Sequence, residues 1–251
     1  MTALRLLQIT DPHLVGDPEA NQRGVQPLQS FRAVLRAAAP ASADVLLLTG
    51  DVVHDDPDGY RWARSELAPL DKPVLCIPGN HDDPGLLRTA LAGEPFRHGG
   101  HHDFGDWRLV MLDSHLPGSA GGRLTDSELQ RLQGALAGAA ERHVLVVLHH
   151  QPVPTRSRWL DTVGLFDPEP FLDLIDAHAN VRGILWGHVH QEFDGLRRNR
   201  HGEVRLMSTP SSNVQFKPLS VEFELDDRPP GFRRLELHAD GRIDSRVEWL
   251  A

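Results

Sequence analysis

The feature that most constrains this chain is a repetition: five apolar runs of strand length each stop at a residue able to bind a cation. Residues 4–9 run into Asp11 and His13, 45–49 into Gly50 and Asp51, and 74–77 into Asn80 and His81. Residues 144–148 then run into His149 and His150, and 184–186 into His188 and His190. Side chains two positions apart in extended chain share a side, so a bend past Ile9 can aim Asp11 and His13 at one point. In open α/β sheets ligands bind beyond the carboxyl ends of the strands, so distant parts of the chain can deliver these groups to one rim.

The residue types carry as much information as the positions. Carboxylate, amide and imidazole donors without thiolate suit divalent Mn, Fe, Co or Zn. Asp11, His13, Asp51, Asn80, His149, His188 and His190 make seven donors, too many for one ion that must keep an open position. Two metals sharing a bridging carboxylate fit the count, and such pairs clamp both attacking and leaving oxygens in phosphoryl chemistry. Gly50, Gly79 and Gly187 each precede a proposed donor, where a side chain would crowd the turn.

Between the apolar runs lie segments of helical spacing, from Pro27 and from Asp167, and Thr125 with Glu128 forms a capping box ahead of a further helix. This alternation predicts an α/β protein. Beyond about residue 203 the pattern changes to short strands, including 220–225 and a hairpin turning at Asp240-Gly241. No linker or repeat separates them, so residues 1–251 are expected to form a single domain whose C-terminal strands complete a second sheet. The segment 96–105, with His98, His101 and His102, is expected to be a solvated glycine-rich loop rather than a third metal site.

With 251 residues, 40% hydrophobic and 24% charged, the chain can bury a sizeable core. A formal net charge of −9 disfavours a nucleic-acid backbone or an anionic membrane as partner, while carboxylates gathered around cations are compatible with it. Cys76 is the single cysteine, which excludes an internal disulfide and thiolate clusters. No apolar stretch is long enough to span a bilayer and no basic, apolar leader opens the chain, so a cytoplasmic protein, monomer or homodimer, is expected.

Asp11-x-His13, Gly50-Asp51, Gly79-Asn80-His81-Asp82, His149 and Gly187-His188-x-His190, in this order, resemble the calcineurin-like metallophosphoesterase superfamily. The stretches "LQITDPHL", "LHHQP", "GHVHQE", "STPSSNVQFKP" and "GFRRLELHADG" look most like the bacterial class III 3′,5′-cyclic-AMP phosphodiesterases. The resemblance implies two mixed β-sheets packed as a sandwich and flanked by helices. It implies Asp11, His13, Asp51 and His190 on one metal and Asp51, Asn80, His149 and His188 on the other, with Asp51 bridging. It also implies a cyclic-nucleotide substrate, hydrolysed to 5′-AMP by water that two cations make acidic. His81, unneeded as a ligand, is the candidate to stabilise the transition state or protonate the departing oxygen; the other reading is that it orients Asn80 or Asp51. His13, Asp51, Asn80, His81, His149 and His190 would face the substrate. Asn213 and Phe216, in "SSNVQFKP", are candidates to hold the base, with Trp159 a further cleft wall, unless that loop only packs over the sheet edge. Another phosphodiester or a phosphomonoester is the alternative substrate, since the metals perform general phosphoryl chemistry.

Overall fold

The computed structural model describes residues 3–139 and 141–251. Its elements run β1 (Leu4–Ile9), α1 (Pro27–Ala38), β2 (Val45–Thr49), α2 (Tyr60–Leu67), β3 (Val74–Ile77), α3 (Pro84–Ala90), β4 (Phe96–His98), β5 (Gly100–Phe104) and β6 (Trp107–Met111). They continue α4 (Asp126–Ala137), β7 (His143–Val147), α5 (Glu169–Ala177), β8 (Val181–Trp186), β9 (Phe193–Asn199), β10 (Gly202–Ser208), β11 (Gln215–Phe216), β12 (Leu225–Asp226), β13 (Gly231–Leu237) and β14 (Ile243–Trp249).

Among the described residues the strands form two six-stranded mixed sheets, ordered β14-β13-β1-β2-β3-β4 and β5-β6-β7-β8-β10-β9, and a small β11-β12 pair. Each large sheet is parallel at its centre and antiparallel toward an edge. Central strands are covered on both sides, which is why they read as continuous apolar runs instead of alternating ones. Leu6, Val45, Leu47, Leu75 and Ile77 from one sheet meet Leu109, Met111, Leu145, Val147 and Leu185 from the other in the middle of the sandwich. Their neighbours Leu7, Leu46, Leu48 and Val74 point the other way, against Phe31, Val34 and Leu87 of the helices. On the far side Val144, Val146 and Ile184 pack on Leu132, Leu136, Phe171 and Ile175. The result is a helix, sheet, sheet, helix sandwich.

Three sequence expectations change here. Residues 96–105 are not a loop: Gly99 and Gly100, at φ 55° and 73°, turn the chain from the edge of one sheet to the edge of the other, and β5 pairs with β6 from Gly100↔Met111 to Phe104↔Trp107. Backbone pairing along an open edge outweighed a composition that suggests a loop. The C-terminal strands divide between the sheets: β10 lies in the second sheet, but β13 and β14 extend the first by antiparallel pairing with β1. Of residues 220–225 only Leu225 is in a strand, opposite Phe216.

The cap at Thr125 is half of the expected box. The Thr125 hydroxyl accepts from the Glu128 backbone N–H at 3.2 Å, whereas the Glu128 carboxylate accepts from the Asp113 N–H at 3.1 Å. The helix end is thereby tied to the rim beyond β6.

Candidate metal centre

The loops after β1 and β2 run side by side. The N–H groups of Asp11, His13 and Leu14 donate to the carbonyls of Gly50, Asp51 and Val52 at 2.9–3.1 Å. The pairing turns both loops over the strand ends together. Asp11, His13, Asp51, His188 and His190 all have φ between 48° and 64°, a region costing an L-residue about 1–3 kcal/mol. Five such residues at one rim mark a place where side-chain direction outweighs backbone comfort. The preceding glycines supply the room. A Cβ on Gly50 would overlap the His149 ring, one on Gly79 would overlap an Asp51 oxygen, and one on Gly187 would overlap the Thr10 hydroxyl.

Asp82 staples these turns from below. Its buried carboxylate accepts from the N–H groups of Val52, Val53 and Gly79 at 3.1, 3.2 and 2.9 Å, and from the Tyr60 hydroxyl at 2.9 Å.

The donors converge. His13 Nε2 and His190 Nε2 are 3.1 Å apart, and His190 Nε2 is 3.3 Å from Asp11 Oδ1. Asp51 faces two ways: Oδ2 lies 3.7 Å from His13 Nε2 and Oδ1 lies 3.5 Å from His149 Nε2. Asp11, His13 and His190 form one close group, Asp11, Asp51 and His149 a second, and His149, His150 and His188 a third. Of two adjacent histidines, His149 is the one against both carboxylates, whereas His150 turns its Nδ1 to the Ser114 hydroxyl at 2.8 Å.

The imidazoles are oriented by backbone. His149 Nδ1 donates to Thr49 O, His190 Nδ1 to Val214 O and His188 Nε2 to Val163 O, at 2.8, 2.8 and 3.0 Å. A carbonyl can only accept, so in the neutral imidazole each ring's other nitrogen offers its lone pair to the site, the arrangement usual for metal-bound histidine. Asn80 Oδ1 and His149 Nε2 are buried with no hydrogen-bond partner. A buried acceptor left unpaired is costly, and a divalent cation would satisfy both.

Electrostatics point the same way. Burial alone would raise the Asp11 and Asp51 carboxyls, but His190 and His149 beside them hold both below the ordinary range. Burial pulls His149 down, yet Asp51 next to it lifts it to about 9, while burial depresses His13 and takes His188 to about 3. Two buried carboxylates thus draw positive charge inward, and neutral imidazoles surround them. These residues could hold divalent cations.

A cavity of about 240 Å³ opens over this centre, lined among others by His13, Asp51, Asn80, His81, His188 and His190. His81 stands at its side, with Nδ1 3.0 Å from Asp55 Oδ2. Asn213 and Phe216 line it too, as does Trp159. Asn213 is buried and its amide donates to Pro12 O, and Phe216 lies flat on the His190 ring at 4.0 Å and 5°.

Some lining residues escaped the sequence reading. His54, three past Asp51, puts Nδ1 3.1 Å from His13 Nδ1 and its ring 4.5 Å from that of His81. Gln22, Arg23 and Phe223 come from segments without a motif, and only "GDVVHDD" offered a signal, for His54.

A model of the calcineurin-like phosphoesterase family matches residues 4–192. The chain is 40% identical over 245 residues to the 3′,5′-cyclic adenosine monophosphate phosphodiesterase CpdA of Pseudomonas aeruginosa, covering 96% of this chain and 88% of the relative. It is 36% identical over 252 residues to the protein of the same name from Escherichia coli K12, covering 99% and 90%. In fold it is similar to a dimetal phosphatase from Danio rerio, with a TM-score of 0.66 at 15% identity over 100% of both chains.

Proposed function

Since the chain belongs to the calcineurin-like phosphoesterase family, we propose that it hydrolyses 3′,5′-cyclic AMP to 5′-AMP with two divalent cations seated among the seven rim donors. The family implies divalent metal; the count of two is our reading of Asp51, whose two oxygens face opposite groups of histidines. Asp11, His13, Asp51 and His190 would hold one ion, and Asp51, Asn80, His149 and His188 the other. Iron and manganese fit this oxygen and nitrogen set, as do zinc and cobalt.

When bound, such cations make a water acidic enough to attack at neutral pH and neutralise charge on the phosphoryl oxygens. The chain's own residues do the rest. Thr49, Val163 and Val214 carbonyls fix the imidazole tautomers, so the donor atoms need no rearrangement when substrate arrives. His81, with both ring nitrogens protonated, is the proton donor to the departing ribose 3′-oxygen: Asp55 accepts from Nδ1–H, and Nε2–H, without a partner among the described residues on the cavity wall, gives its proton to the oxygen and leaves the ring neutral. Phe216 backs His190 and keeps that ring from turning. The cleft suits a small cyclic nucleotide, and the net charge of −9 argues against a nucleic-acid polymer. A cytoplasmic setting goes with that substrate; no helix among the described residues is long and apolar enough to cross a membrane.

The observation that carries this reading is the near full-length likeness to cyclic-AMP phosphodiesterases in a chain whose seven donors meet at one rim. Metal titration of purified, chelated protein against cyclic AMP tests it. Turnover that rises with Mn²⁺ or Fe²⁺ and saturates near two ions per chain is expected. Hydrolysis of an activated aryl ester with none of cyclic AMP would keep the metal centre and sink the substrate.

A further inference from the structure

The aromatic residues beside the metal centre form a ladder from deep to shallow. Phe216 is flat against His190, and Trp159 and Phe223 meet Phe216 edge to face at 5.1 and 5.4 Å, and each other at 5.1 Å. Trp159 is further held by its indole N–H, which donates to the Ser220 hydroxyl at 3.0 Å. The inner rings are therefore occupied: one face of Phe216 is covered by His190 and the rest of it is met by two other aromatics. Phe223 differs. It is 48% exposed, a large apolar ring left open at the mouth of the cavity.

One group covers it. The Arg23 guanidinium lies 4.6 Å from the centre of the Phe223 ring. Among the described residues no carboxylate pairs with Arg23, although most other arginines in this acidic chain have such a partner. Arg23 is also built into a rigid tip. The Gln22 and Val25 backbones bond each other in both directions at 2.7 and 3.0 Å, while Arg23 and Gly24 have φ of 55° and 91°. That is a type I′ hairpin turn, whose first central position favours Asn, Asp or Gly. Arginine there sits in a left-handed conformation that turn chemistry does not ask for, and strain of this kind concentrates where side-chain placement matters. The Asn21 side chain braces the turn by accepting from the Gly24 N–H at 2.9 Å.

We propose that Arg23 and Phe223 form the clamp for the nucleobase, with the purine inserted between the Phe223 ring and the guanidinium. The inference rests on the cyclic-nucleotide reading and assigns the base to residues from two loops far apart in sequence. His190 and Phe223 are separated by two ring-to-ring steps, 4.0 and 5.4 Å, on the scale of the ribose between a phosphate and its base. Arg23 needs only to swing outward by one ring thickness, which its flexible stem allows. A guanidinium and a phenyl ring both stack on the π-face of a base, and the guanidinium adds donors for a purine nitrogen.

The test compares Arg23→Ala, Phe223→Ala and Phe223→Trp with the wild-type metal-loaded enzyme on cyclic AMP and on methyl 4-nitrophenyl phosphate, which lacks a base. For the two alanine variants the ratio of kcat/KM between these substrates should fall roughly tenfold toward the baseless ester, through KM rather than kcat, since stacking of this kind is worth about that factor. Phe223→Trp should restore the ratio. An unchanged ratio, or equal losses on both substrates, would overturn the clamp. If the wild type cleaves the aryl ester but not cyclic AMP, the substrate reading has failed independently. Competitive inhibition by 5′-AMP against ribose 5-phosphate then decides the clamp: selective weakening of 5′-AMP in the alanine variants retains it, and no selective change rejects it.

Discussion

A left-handed backbone at Asp11, His13, Asp51, His188 and His190 puts five proposed donor side chains where ordinary strand ends would not. The cost of that conformation is tolerable only because glycines and paired loops surround it. Gly79→Ala should therefore be severe out of proportion to its size. Its Cβ would displace Asp51, and metal analysis of the purified variant should show loss of bound cation together with activity; full metal content would contradict the geometry. His81→Ala should separate instead, losing about 10²–10⁴-fold in kcat while keeping its metal, because no other proposed donor depends on its side chain. At this scale the sequence was informative where a donor directly follows an apolar run. Arg23 was not legible, since its approach to the site depends on a loop folding back across the rim, and for His54 only its place three residues past Asp51 was a signal. Spacing alone does not separate His149 from His150; the family resemblance assigned His149, and in the sheet it is that ring that faces Asp51 while His150 turns to Ser114.

Elements were legible to the extent that local chemistry decides them. The 4–9, 45–49 and 74–77 runs are strands with those bounds, and Thr125 caps a helix. Thr125→Ala should lower stability by about 1 kcal/mol, read as a shift in urea midpoint with no change in KM. The edge strands were not legible, because β4 is held by pairing with β3 across the intervening helix and β5 by a tight hairpin to β6, neither having an apolar run of its own. The strands are also pinned by ion pairs. Arg108 holds the Asp103 carboxyl below its usual range, Arg197 does so for Asp176, and Arg5 for Asp44. A carboxylate with a depressed folded-state pKa adds stability that is complete above its unfolded value, near 3.9, and is lost as pH falls through the lower folded value. These pairs make the urea midpoint fall below about pH 5, beneath an earlier decline that starts at about pH 6.5, where the buried His13 and His188, kept neutral by folding, take up protons on unfolding. Asp103→Asn should make that fall shallower; an identical acid slope would remove Asp103 from the account.

At the scale of the whole molecule, the site exists because two sheets end at one rim. The fold class could be read from the alternation of runs, but how the sheets are joined could not. β13 returns to β1, and its Arg233, fully buried, donates to Ser208 O at 2.7 Å and to Asp194 at 2.9 Å, tying the first sheet to β9 and β10 of the second. Arg233→Met should cost at least about 2 kcal/mol, since buried carbonyls would lose their donor. Metal should act on stability across the same junction, because a ligand bound only by the folded state at a hundred times its Kd adds about 2.7 kcal/mol. Chelation should then lower Tm in the wild type and have little effect in Asp51→Asn. The most direct test of the central claim follows the oxygen itself. Metal-loaded protein incubated with cyclic AMP in heavy-oxygen water should yield 5′-AMP carrying one solvent oxygen on its phosphate, and chelated protein should yield none. Formation of 3′-AMP, metal-independent product, or no cleavage at all would contradict the account.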